Sequence, residues 1–123
     1  MAHILIIDDE EMVRFTLREI LESANHDVTE ADDGIRANKI FETNIFDLVI
    51  TDIVMPDKEG LETIREFKKL RPDIPIIAIS GGGRFRTDAY LKFAKELGAD
   101  RTLNKPFTDE DLLALVESCL AGH

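Results

Sequence analysis

Short apolar runs recur along the chain, and each is bounded by polar or turn-forming residues. Continuous runs such as 4–7 and 74–79 are typical of strands buried on both faces of a parallel sheet. Residues 28–31 instead alternate apolar and polar side chains, which favours a half-exposed strand. The five strands predicted in this way cover residues 4–7, 28–31, 48–52, 74–79 and 101–104.

Apolar residues at helical spacing lie between these strands and predict amphipathic helices. The first is predicted from about Glu10 to Ala24, and another near residues 88–97, closed by Gly98. Thr108-Asp109-Glu110-Asp111 has the form of a capping box that opens the last helix. The apolar stripes are Val13, Leu17, Ile20, Leu21 and Ala24 in the first helix, Ile35, Ile40 and Phe41 in the second, Leu61, Ile64, Phe67 and Leu70 in the third, and Leu112, Leu113, Val116, Cys119 and Leu120 in the last.

Five strands that alternate with five helices predict a parallel sheet with helices on both faces. Right-handed crossovers leave few topologies for such a sheet, and we expect the flavodoxin-like strand order 2-1-3-4-5. The fold class is therefore predicted to be α/β, a single doubly wound (βα)5 domain over residues 1–123 with no output domain after it.

Composition narrows the choice of partners. The chain has 123 residues and a net charge of −10, which argues against nonspecific binding to nucleic acid or to an anionic membrane. Its one cysteine, Cys119, excludes an internal disulfide and favours a reducing compartment. The first apolar run is too short for a signal peptide or a membrane span, so we expect a cytoplasmic protein.

Polar residues follow four of the predicted strands. Asp8-Asp9 follows the first, Asp52 ends the third, Ser80 the fourth and Lys105 the fifth. In a parallel sheet these carboxyl ends share one edge, where α/β sheets bind their ligands. Three neighbouring carboxylates repel one another, and an oxygen-only ligand set favours Mg²⁺. We expect Asp52 to accept a phosphoryl group, Lys105 to neutralise it and Ser80 to donate a hydrogen bond to it.

These residues, in this order, resemble the receiver domain of bacterial two-component response regulators. The resemblance covers essentially the whole chain and is carried by Asp8-Asp9, Asp52, Met55-Pro56, Gly60, Ser80 and Lys105-Pro106-Phe107. It implies a signalling phosphoacceptor, not an enzyme in the usual sense, that receives phosphate from a histidine kinase or a histidine phosphotransfer protein.

The resemblance also assigns roles. It implies that Asp8, Asp9, Asp52 and the backbone carbonyl of Val54 bind Mg²⁺, and that the bond between Lys105 and Pro106 is cis. Two positions depart from the family pattern. Thr102 stands where the family usually has Tyr or Phe, so the resemblance does not imply the usual aromatic readout of activation. Gly81-Gly82-Gly83 follows Ser80 and predicts a mobile loop.

Two surfaces are candidates for partner binding. Met12 and Phe15 lie away from the core side of the first helix, one to two turns from the acidic residues, and suggest a docking surface for the phosphodonor. Scattered exposed apolar residues are also ordinary. In the family, the face formed by the fourth helix, fifth strand and fifth helix often contacts a downstream partner or a second receiver, so a phosphorylation-dependent dimer is one expectation. Here that face carries Lys92, Lys95, Arg101 and Asp111.

Other functions fit the sequence less well. The chain could be a phosphorelay shuttle, a receiver excised from a longer regulator, or a receiver that binds partners without phosphorylation. A phosphatase of the haloacid-dehalogenase type needs a second aspartate two residues after the nucleophile, where this chain has Val54. In a flavodoxin, Asp8-Asp9 would repel the flavin phosphate. The acid pair could also simply cap the first helix.

Overall fold

The computed structural model describes residues 2–52, 59–80, 92 and 94–122. Five strands, all paired in parallel, form one sheet in the order β2-β1-β3-β4-β5, as predicted. The strands are β1 (His3–Ile7), β2 (Asp27–Ala31), β3 (Leu48–Asp52), β4 (Ile76–Ser80) and β5 (Arg101–Asn104). β4 begins two residues later than predicted because Pro75 has no N–H to contribute to the ladder.

Helices connect the consecutive strands, and the last helix follows β5. They are α1 (Glu11–Ser23), α2 (Gly34–Thr43), α3 (Glu59–Leu70) and α5 (Asp109–Leu120). Residues 92 and 94–97 are also helical, and we label this segment α4. The earlier part of the predicted fourth helix, the glycine loop 81–83, Met55-Pro56 and Val54 lie outside the described residues.

Apolar side chains cover both faces of the sheet, as expected for a doubly wound fold. On one face, Leu5 and Ile7 lie in a core cluster with Phe41 of α2 and Phe67 of α3. On the other, their neighbours in β1 lie in a second cluster with residues of α1 and α5. The alternation along β1 follows from the two-residue repeat of a strand, which sends successive side chains to opposite faces.

Two residues of the predicted apolar stripes are exposed among the side chains that the structure describes; the side chain of Leu61 lies outside them. Ile35 has 65% of its surface exposed, because the buried face of α2 is formed by Gly34, Ala37 and Phe41. Leu70 is 55% exposed; it is the last residue of α3, one turn beyond the fully buried Phe67. The helical period was therefore right for both helices, but the stripe was assigned too broadly.

Local signals at the helix ends were correct. Thr108 Oγ1 accepts a hydrogen bond from Asp111 N (3.0 Å), and the Asp111 side chain accepts one from Thr108 N, which completes the predicted capping box. Gly98 adopts a φ of 127° directly after α4.

The Lys105–Pro106 bond is cis, as the resemblance implies. Among the described residues, no helix has the length and apolar character needed to cross a bilayer.

Candidate functional site

The register of the sheet brings four strand ends to one edge. Ile7 is paired with Thr51, so Asp8 and Asp52 are the next residues along β1 and β3. Asp52 in turn is level with Ile79, one residue before Ser80. Lys105 follows β5 and donates its backbone N–H to the carbonyl of Ser80 (2.8 Å). The candidate residues therefore lie together because of main-chain pairing.

Lys105 connects two of the acidic side chains. Its Nζ lies 3.2 Å from Asp52 Oδ2 and 3.4 Å from Asp8 Oδ2. Asp52 and Asp8 are almost fully buried, with 4% and 1% of their surfaces exposed, whereas the lysine side chain is 19% exposed. A buried carboxylate is stable only when it is paired and hydrogen-bonded, and this ammonium supplies a partner for both.

Four carboxylates gather around this ion pair. One carboxylate oxygen from each of Asp8, Asp9, Glu10 and Asp52 lies within 4.8 Å of the others. Asp9 and Glu10 are exposed. Glu10 was not anticipated, although its position directly after the acid pair was a signal: consecutive residues of a turn can point to one site.

The alternative role of the acid pair as a helix cap does not match the contacts. The N-cap residue of α1 is Glu10, and no side chain caps it. Asp8 Oδ1 instead accepts a hydrogen bond from the backbone N–H of Glu10 (2.8 Å), which closes a local turn between β1 and α1. One oxygen of Asp8 therefore holds this turn, and the other faces Lys105.

Burial sets the proton affinity of Asp8. Desolvation is the largest effect and raises the pKa of Asp8 from 3.8 to about 7; the negative charge of Asp52 adds to it, while the Glu10 hydrogen bond and Lys105 oppose it. For Lys105, desolvation lowers the pKa, but the charges of Asp52 and Asp8 outweigh it, so the net shift is upward. Lys105 is therefore a fixed positive charge at neutral pH.

The donor set fits a hard divalent cation. Asp8, Asp9, Glu10 and Asp52 offer oxygen ligands only, which suits Mg²⁺ better than a metal that prefers sulfur or imidazole. With all groups ionised, the four carboxylates and Lys105 sum to −4 + 1 = −3. A divalent ion would relieve that excess of negative charge. The carbonyl of Val54, which the family resemblance adds to the ligands, lies outside the described residues.

Ser80 and Thr102 lie within the strands β4 and β5. Ser80 is the last residue of β4 and has no exposed surface. Thr102, which stands at the position of the family's usual aromatic ring, is paired with Ala78 in the β4–β5 ladder and is half-buried. The structure thus places Ser80 next to the main chain of Lys105, and it offers no aromatic side chain at Thr102.

The predicted partner surfaces differ in accessibility. Met12 and Phe15 are 73% and 57% exposed, and Lys92 and Lys95 are exposed. Arg101 is half-buried and donates to Asp100 O (3.0 Å) and to Ser118 Oγ (3.3 Å). Asp111 is committed to the capping box of α5. Of the four charged residues predicted on that face, the two lysines are therefore the exposed cations.

Comparison with known proteins gives matches over nearly the whole length of this chain. A family model described as the response regulator receiver domain matches residues 4–117. The DNA-binding transcriptional regulator NtrC of Azospirillum brasilense is 36% identical over 122 residues, covering 99% of this chain and 25% of that protein. Response regulator MprA of Mycobacterium sp. (strain KMS) is 35% identical over 120 residues, covering 97% of this chain and 50% of that protein. The chain thus spans a quarter to half the length of these relatives.

Similar solved structures confirm the predicted fold. A receiver domain protein, described as CheY-like, from Methanospirillum hungatei JF-1 has a TM-score of 0.89 at 30% identity, covering 98% of this chain and 94% of that one. The receiver domain of NtrX from Brucella abortus has a TM-score of 0.90 at 30% identity, covering 98% and 99%.

Proposed function

We propose a phosphorylation switch for this chain, because it belongs to the response regulator receiver domain family. Receiver domains of this family are signalling phosphoacceptors, and response regulators are phosphorylated by histidine kinases and act on downstream effectors. In the proposed function, Asp52 accepts a phosphoryl group from a histidine kinase or a histidine phosphotransfer protein. Phosphorylation of Asp52 then changes a surface that a downstream protein recognises.

The contact between Lys105 and Asp52 carries this proposal. A carboxylate that accepts a phosphoryl group needs positive charge beside it, because negative charge is spread over the phosphoryl oxygens in the transition state. Lys105 Nζ lies 3.2 Å from Asp52 Oδ2. Asp52 is 4% exposed, so this attraction acts in surroundings that screen it less than bulk water does.

The proposed reaction is a direct transfer. A carboxylate oxygen of Asp52 forms a bond to phosphorus while the bond between phosphorus and the histidine nitrogen of the donor breaks, and that nitrogen keeps the electron pair. Lys105 stabilises the phosphoryl oxygens, and the hydroxyl of Ser80 donates a hydrogen bond to one of them. Asp8, Asp9, Glu10 and Asp52 would hold Mg²⁺, which when bound supplies positive charge to the phosphoryl oxygens.

The exposed apolar side chains of α1 support a docking role. Met12 and Phe15 lie on the helix that begins directly after the acidic turn, so a donor that covers them would reach Asp52. The output face is proposed to be α4, β5 and α5, where Lys92 and Lys95 are exposed.

Intact-mass measurement tests the proposal directly. The protein is incubated with acetyl phosphate and Mg²⁺, and the expected result is one added phosphate in the wild type and none in Asp52→Asn. Asp73→Asn, an exposed carboxylate remote in sequence, is the matched control and should gain phosphate as the wild type does. An unmodified wild type, or a phosphate retained in Asp52→Asn, would exclude Asp52 as the acceptor.

A further inference from the structure

Arg14 links the acidic turn to the neighbouring strand. It lies in the first turn of α1, and its Nη1 donates a hydrogen bond to the backbone carbonyl of Asp8 (2.7 Å). Its Nε donates to Glu30 Oε1 in β2 (3.1 Å). Only 16% of the side chain is exposed. The guanidinium is therefore bonded to β2 through Glu30 and to the end of β1 through the carbonyl of Asp8.

This contact fixes the peptide from which two acidic side chains project. The carbonyl of Asp8 belongs to the peptide unit that joins it to Asp9. The N–H of Asp8 is already bonded to Ala31 O (3.2 Å), and its side chain to Glu10 N (2.8 Å). With Arg14 added, Asp8 is held through its N–H, its carbonyl and its side chain.

Such restraint matters because residues 8–10 are three consecutive acids. When all are ionised, their mutual repulsion favours moving the carboxylates apart. A cation site needs the opposite, several oxygens converging at short range. Groups that orient the ligands of a metal site without touching the metal commonly change its affinity by 10- to 100-fold.

We propose that Arg14 is a positioning residue for the divalent-cation site: its hydrogen bond to the Asp8 carbonyl aligns Asp8 and Asp9 for the cation. The inference rests on the proposed function, because it concerns the same site. It assigns a role to a residue that does not itself contact the phosphoryl group or the cation.

Arg18 offers a matched control. It also lies on α1 and also pairs with Glu30, through the other carboxylate oxygen, but it additionally contacts Glu22 and the carbonyl of Val28 instead of Asp8. Replacing either arginine with glutamine removes one positive charge and one contact to Glu30. Only the Arg14 substitution removes a contact to Asp8.

Isothermal titration of each protein with MgCl₂ gives the first readout. Arg14→Gln is expected to weaken Mg²⁺ affinity by about tenfold, and Arg18→Gln to change it by less than about twofold. The direction is diagnostic: loss of a nearby positive charge by itself would strengthen the binding of a cation. Weaker binding therefore reports lost alignment, and equal or tighter binding in Arg14→Gln would overturn the inference.

Urea denaturation shows whether Arg14→Gln folds. If it does not, Arg14→Lys is the second variant to test. It keeps the charge and most of the apolar stem, but one ammonium cannot reproduce the guanidinium fork that serves both Asp8 and Glu30. Weakened Mg²⁺ binding is expected here too, and affinity equal to that of the wild type would overturn the inference.

The second readout separates this inference from the proposed function. With acetyl phosphate as donor, Arg14→Gln should need about ten times more Mg²⁺ for half-maximal phosphorylation, while its maximal rate stays within about threefold of the wild type. If the wild type takes phosphate on Asp52 and Arg14→Gln has an unchanged Mg²⁺ dependence, only the inference is wrong. If the wild type takes none, the proposed function itself is wrong.

Discussion

Neutralising Asp8 should stabilise the protein in the absence of metal. The carboxylate has 1% of its surface exposed, and burial raises its pKa from 3.8 to about 7. At a pH of about 8 the folded protein must carry this buried charge. Asparagine has nearly the same shape, can still accept the hydrogen bond from Glu10 N, and carries no charge.

The pKa shift gives the size of the effect. A shift of about three units corresponds to about 4 kcal/mol at about 1.4 kcal/mol per unit. This shift already includes the attraction of Lys105, which lies 3.4 Å from Asp8 Oδ2. Asparagine does not fully reproduce the hydrogen bond that protonated Asp8 makes with Asp52, and this offsets part of the gain. We therefore expect the free energy of unfolding of Asp8→Asn to exceed that of the wild type by about 2 kcal/mol at a pH of about 8.

The pH dependence has a definite sign. Between about pH 4 and about pH 7, folded wild type keeps a proton on Asp8 that the unfolded chain has released. The free energy of unfolding therefore falls as the pH rises through this interval, and the loss is complete above about pH 7. Asp8→Asn lacks this part of the slope, so the two proteins should differ little near pH 4 and most near pH 8.

Urea denaturation in the presence of a chelator, at about pH 5 and about pH 8, measures both quantities. Asp9→Asn removes an exposed charge from the same cluster and should change stability by no more than about 0.5 kcal/mol. Added Mg²⁺ should stabilise the wild type by about 2.7 kcal/mol at 100 times its Kd, and Asp8→Asn less. If Asp8→Asn is less stable than the wild type at about pH 8, or shares its pH slope, burial does not control the pKa of Asp8.

Three further substitutions test other parts of the structure. Lys105→Gln should slow phosphorylation by acetyl phosphate by about 100-fold in intact-mass time courses, since it removes charge stabilisation at the acceptor; an unchanged rate would contradict this role. Phe15→Ala should slow transfer from a kinase but not from acetyl phosphate, whereas Ile35→Ala, at a similarly exposed position on α2, should slow neither; equal slowing with both donors would contradict the docking proposal. Gly98→Ala should lower the free energy of unfolding by about 2 kcal/mol in urea denaturation, because the added Cβ would lie 2.6 Å from Lys68 Cγ at a φ of 127°; wild-type stability would show that the turn relaxes without cost.

The sequence predicted those features that depend on repeating patterns and local signals. Strand order, the capping box at Thr108 and the gathering of Asp8, Asp52 and Lys105 at one edge follow from apolar runs, turn chemistry and the geometry of parallel sheets. The family resemblance stated from those residues is confirmed by the match over residues 4–117.

The wrong predictions concern properties that depend on contacts between elements and not on the sequence of one helix. Ile35 and Leu70 fall on plausible apolar stripes, but their exposure depends on how far the neighbouring layer extends. Arg14 was not singled out, because an arginine in an amphipathic helix is ordinarily a solvated charge. Its contacts to Asp8 and Glu30 join residues of different elements, and only the assembled sheet shows them.

Main-chain pairing places the chemistry of this domain, and this shapes how its sequence can diverge. A relative can exchange many interior side chains for others of similar volume and keep the same edge, which agrees with TM-scores near 0.9 at 30% identity. A one-residue insertion within a strand is different, because it would shift the residue at its end by about 3.3 Å and turn it to the other face. Selection should therefore remove insertions and deletions in these strands far more strictly than conservative replacements inside them.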